Sequence, residues 1–134
     1  MDKIGKYLFL WGLGGAIYYS IEILYRGFSH WTMFVLGGIC FLFCGFQGNA
    51  TGWSAPLWRQ VICCMIFISS GEFITGILVN KIFRLEVWDY SDVPLNLFGQ
   101  ICLPYALAFG CLAAIGIYLY HFLERFFLNF QEEV

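Results

Sequence analysis

Four apolar stretches dominate this chain, and each is long enough, or nearly so, to cross a lipid bilayer. They are Tyr7–Tyr25, Trp31–Phe46, Val61–Phe83 and a fourth from about Phe98 to about Tyr120. About twenty residues at a rise of 1.5 Å each cross a hydrocarbon core of roughly 30 Å. The second stretch is short and must thin the bilayer, run past its own ends, or dip in and return. A spanning segment has to pair every backbone polar group internally, which leaves helices or a closed β-barrel. Apolar runs of this length without two-residue alternation exclude the barrel. The predicted fold is an all-α integral membrane protein, with a compact bundle of four transmembrane helices forming one domain over residues 1–134. A C-terminal interfacial helical extension follows, in which Phe122, Phe126 and Phe130 recur every fourth residue, opposite Glu124 and Arg125.

Composition narrows the functional classes. Hydrophobic residues make up 60% of the chain and charged ones 12%, which removes it from the soluble globular class. A net charge of −2 offers no basic face to nucleic acid. The six cysteines all fall in apolar stretches, where they are expected as reduced packing residues rather than disulfides. Lys3 and Lys6 before an apolar run imitate a signal peptide, but the run exceeds that length and is expected to be the first membrane helix. Lys3, Lys6, Arg59 and Arg125 on one side nearly balance Arg26, Lys81 and Arg84 on the other; the small excess puts both termini inside the cell.

Against this background two acidic residues stand out, Glu22 in the first span and Glu72 midway along the third. A charge at the bilayer centre costs about 2.5–3.5 kcal/mol on insertion scales, so such groups face partners, water or a transported species. Glu22 lies four residues before Arg26. It either forms an intrahelical ion pair there or faces a polar cavity with His30 above it. Around Glu72, residues Ser69, Thr75 or Gly76, and Asn80 make a polar stripe. In the fourth stretch Asn96 and Gln100 are four apart, and Pro104 would free the Gln100 carbonyl by kinking the helix. The loop before it carries the densest polar cluster, including Asp89 and Tyr90. Glycines throughout the spans permit close helix packing or a homodimer. The phosphate-loop, H-E-x-x-H and G-x-S-x-G motifs are absent, and His30 and His121 are isolated, so neither a metal nor a cofactor is expected.

The stretches GGAIYYSIEILYRGFSHWTMFVLGGICFL and GEFITGILVNKIFRLEVWDYSDVPLNLFGQICLPYALAF resemble a family of small bacterial membrane proteins described as ABC-transporter permeases of the CmpB type. The marks are Glu22, Arg26-Gly27, Ser29-His30-Trp31, Gly71-Glu72-Phe73, Asn80, Trp88 to Ser91, Asn96 and Gly99-Gln100. The chain departs from the pattern over Tyr105–Gly110, where the family carries a Trp. The resemblance implies a multi-pass protein of the cytoplasmic membrane, surrounded by lipid and served by a separate ATPase subunit. Together the two lines of reasoning select one set for a substrate or ion site: Glu22, Arg26, His30, Glu72, Asn80, Asp89, Tyr90, Asn96 and Gln100. A transport component is the first expectation. A membrane-embedded enzyme acting on a lipid or isoprenoid headgroup, and a non-catalytic assembly protein, are the alternatives.

Overall fold

Long apolar runs without an internal proline become helices here. The computed structural model describes residues 3–27, 29–85 and 87–125. Four helices account for most of them: α1 (Lys3–Arg26), α2 (Trp31–Ala50), α3 (Leu57–Gly76) and α4 (Leu103–Leu123). A π-helical turn, Ile77–Ile82, continues α3. Each helix is long and apolar enough to cross a membrane. Their outer faces carry Leu8, Leu24, Ile66 and Ile115, all more than half exposed. Such a surface suits lipid and would be costly in water. The protein is thus an all-α, multi-pass membrane protein. The proposed interfacial tail beyond Arg125 lies outside the described residues.

Four helix limits differ from the sequence expectation, the first being α1, which begins at Lys3 rather than Tyr7. Helix α2 does not stop at Phe46 but continues to Ala50. Its polar last turn is satisfied in place, because Gln47 donates to the Cys44 carbonyl (2.7 Å) and to Gln60 Oε1 (3.0 Å). At twenty residues, α2 needs no thinning of the bilayer. Helix α3 begins earlier, directly after Pro56, whose fixed φ and missing N–H suit a helix start. Helix α4 begins at Leu103 rather than near Phe98. Residues 96–102 instead form a small antiparallel hairpin, β1 (Asn96–Leu97) with β2 (Ile101–Cys102). Phe98 and Gly99 turn it with φ of +54° and +73°. Pro104 therefore starts α4 instead of kinking it.

Helices α2, α3 and α4 enclose the core, where Leu36, Cys40, Cys44, Cys64, Ile68, Phe109, Ala113 and Ile117 meet. All six cysteines are free thiols, and Cys40, Cys44, Cys64 and Cys102 are buried as small packing groups. Helix α1 lies outside this trio and packs almost wholly on α2. Its links to α4 lie mainly towards its two ends, with Leu10 joining Tyr120 in a small buried cluster with Phe41 of α2. Beside loop one (between α1 and α2) and loop three (between the π-helical turn and β1), the Tyr25 and Tyr105 hydroxyls are 3.1 Å apart. At the other end Lys6 Nζ is 3.1 Å from Glu124 Oε2.

Candidate functional site

The buried stripe on α3 ends up as the sequence spacing requires. Glu72, Gly76 and Asn80 all face inward, and Glu72 is only 2% exposed. Its partner comes from α1, where the Tyr18 hydroxyl donates to Glu72 Oε1 at 2.5 Å. Tyr18 can lie this deep because Gly37 of α2 sits beneath it; a Cβ there would stand 2.6 Å from the Tyr18 Cβ. One turn along α1, Glu22 is half-buried with Oε2 fully enclosed. Glu72, Glu22 and Tyr90 all act electrostatically on the Tyr18 hydroxyl. Two carboxyls from different helices thus lie close to one phenol inside the membrane span. Low local dielectric makes their interaction strong.

Asn80 and Gln100, two further predicted site residues, form a lock instead. Asn80 Nδ2 donates to Gln100 Oε1 (2.8 Å), and Asn80 Oδ1 accepts from the backbone of Val87 (2.7 Å) and Trp88 (3.3 Å). The Gln100 amide donates to the Phe98 carbonyl (2.9 Å), and its own carbonyl accepts from Trp88 Nε1 (2.9 Å). The carbonyl expected to be freed by Pro104 is therefore taken by an indole. Asn80 sits within the π-helical turn that continues α3. Arg84 (φ +56°) ends the helix, and the Leu85 amide reaches back to the Val79 carbonyl at 2.9 Å. Gly76 leaves room for the lock: an added Cβ would lie 3.0 Å from both Gln100 Cβ and Trp88 Cζ2.

The remaining predicted residues are engaged locally. Asp89 is exposed and closes a short turn, accepting from the Ser91 hydroxyl (2.5 Å) and amide (2.9 Å). Those two bonds, the hydroxyl first, hold its carboxyl below the ordinary value of 3.8, with Lys81 adding a smaller pull. Asn96 ties the same loop, donating to the Ser91 and Val93 carbonyls and accepting from Gly99. Tyr90 stacks on Tyr105 at 4.8 Å, which links loop three to the Tyr25–Tyr105 contact. His30 caps α2, with Nδ1 accepting from the Thr32 amide (3.3 Å) and lying 2.7 Å from the Thr32 hydroxyl. Arg26 ends α1, and its side chain lies outside the described residues.

Several residues with a visible role were not singled out from sequence. Tyr18 is four positions before Glu22, so helical spacing alone puts it on the same face. At the far end Glu124 binds Lys6 and accepts from Asn49 Nδ2 (3.3 Å). Trp53 donates to Asn49 Oδ1 and stacks flat on His121 at 4.2 Å. A cavity of about 160 Å³ lies between α1, α2 and α4, and a shallower groove of about 470 Å³ runs beside α3. Neither is lined by any of the nine predicted residues, though Tyr18 borders the first. Among the described residues, no group of three His, Cys, Asp or Glu is placed to hold a metal ion.

A family model of the CmpB type, described as "Putative ABC-transporter type IV", matches residues 4–134. The chain belongs to this family. No curated protein and no solved structure matches it. The match to this CmpB-type family spans both the Tyr18–Glu72 pair and the Asn80–Gln100 lock.

Proposed function

We propose that this CmpB-type protein is a transport component whose acidic site, Glu72 and Glu22 about Tyr18, takes up a proton or a cationic group inside the membrane. The observation carrying this reading is the burial of Glu72 within α3 beneath a hydrogen bond that crosses from α1. A lock between helices could be made by an amide without the cost of an ionisable group at that depth. A carboxyl there earns its place if its charge changes during work. The site is occluded, so Tyr18 must swing from Glu72 before anything larger than a proton can reach it. The protein would sit in the cytoplasmic membrane with both termini inside. An ATPase on a separate subunit would supply energy, since this sequence has no phosphate loop of the G-x-x-x-x-G-K-[ST] form. Homodimerisation would use the outer face of α1, where Gly12, Ala16 and Ser20 recur every fourth residue.

The acid–base alternative would need Arg26, His30 and Asp89 turned together on a headgroup. His30 and Asp89 are each bonded within their own turn, which favours transport. The test is binding of ethidium, a lipophilic cation, to the protein in lipid nanodiscs. Saturable binding that weakens as pH falls, and drops about tenfold or more in Glu72→Gln, is the expected result. Equal binding by the variant, with only its melting temperature lowered, would reduce Glu72 to an interhelical lock and overturn the proposal.

A further inference from the structure

The space between α1 and α4 points to a ligand of a different kind. The two helices run antiparallel and are joined at Tyr25–Tyr105 and at Lys6–Glu124. On each helix the two contact residues are nineteen steps apart, a rise of about 28 Å, close to the roughly 30 Å of bilayer hydrocarbon. Between those contacts the helices scarcely approach each other, because α1 packs on α2 and α4 packs on α2 and α3. What remains is a slot of about 160 Å³, walled by Ile17 and Ile21 on one side and by Leu112, Gly116 and Leu119 on the other, with Cys40 in its floor.

We infer that this slot holds the terminal segment of one acyl chain of a bilayer phospholipid. Its lining is almost wholly apolar and gives water too few polar partners to stay. An unfilled void forfeits dispersion contacts along its whole wall. A cavity of about 150 Å³ accommodates a six-carbon ring, so this one matches about six carbons of an alkyl tail. A helix cannot enter, because α1 and α4 are fixed to each other at both ends. The slot also continues the lipid-facing surface of the spans, where Ile115 beside it is 64% exposed, so a tail enters sideways without crossing water. Tyr18 forms part of the wall while its hydroxyl holds Glu72, which places the tail against the residue that closes the acidic site.

The experiment uses the full chain in nanodiscs containing a phospholipid with a diazirine near the end of one acyl chain. After illumination, adducts are mapped by peptide mass spectrometry. Peptides bearing Ile17–Ile21 and Leu112–Leu119 should carry about fivefold more label than the lipid-facing α3 positions Ile62 and Ile66. Gly116→Leu fills the slot, since an added Cβ meets only Cys44 Sγ at 3.6 Å and Phe41 Cδ1 at 3.8 Å. It should remove that excess and leave α3 labelling unchanged. Ile17→Phe, at the rim, serves as the second plug if Gly116→Leu does not fold. Even labelling of slot and outer surface, labelling indifferent to a plug, or cross-links joining the slot to a second copy would each overturn the inference. Ethidium binding can fail while this labelling succeeds, so the two proposals fall separately.

Discussion

Deleting one oxygen from Tyr18 probes the polar contact that joins α1 to α3. Tyr18→Phe keeps the ring on Gly37 but removes the donor to Glu72 Oε1. Leaving an enclosed carboxyl short of a hydrogen bond costs about 1–3 kcal/mol. A lower melting temperature in detergent is expected, with Tyr19→Phe unchanged as the control. Asp89 gives a second prediction at this scale. Its carboxyl titrates below the ordinary 3.8 because Ser91 donates to the charged form. A depressed folded value means the contribution is present above the unfolded value and is lost as pH falls through the folded one. Ser91→Ala should raise the Asp89 titration midpoint towards 3.8, read by NMR, and move the loss of the turn to higher pH. Both glutamates were legible in the sequence from the cost of charge in hydrocarbon. Tyr18 was not, because a tyrosine in a span carries no such cost and its partner lies on another helix.

Among the elements, the π-helical turn with loop three contains the densest hydrogen bonding. Asn80→Leu would strand the Val87 and Trp88 amides and Gln100 Oε1 together. A loss of about 3 kcal/mol is expected, with loop three opened to trypsin after Arg84 in limited proteolysis. Pro104→Ala should behave quite differently. At the first turn of α4 the proline costs no internal hydrogen bond, so the change should stay within about 1 kcal/mol of wild type by thermal melt. A mid-helix kink would give a larger shift. The same contrast shows what sequence reading captured. Apolar length marked all four spans, since hydrocarbon thickness fixes the residue count. It misjudged the start of α4 because Phe98, Ile101 and Cys102 are as apolar as the span that follows, while their hairpin is held by the Trp88 indole from loop three and by Asn96 Oδ1, in β1 itself, which accepts from the Gly99 amide. Gln47 and Asn49 misled in the opposite direction: polar side chains looked like loop, yet they bond within the bundle.

For the molecule as a whole, the two ends of the α1–α4 seam deserve separate tests. Lys6 and Glu124 are each 11% exposed at the side chain, between the regimes of surface and buried pairs. Lys6→Ala should cost about 2 kcal/mol, and the exchange Lys6→Glu with Glu124→Lys should recover most of it in a double-mutant cycle. The four-helix architecture was legible from composition and span length. The peripheral place of α1 was not, since all four spans look alike in apolarity and only packing distinguishes them. Because both ends of the seam are tied, the two helices share a common length requirement. One extra residue between Lys6 and Tyr25 would rotate everything after it by about 100° and aim one tie at lipid. Insertions and deletions in α1 should therefore be tolerated only outside that interval, a constraint that loop lengths in this protein do not share.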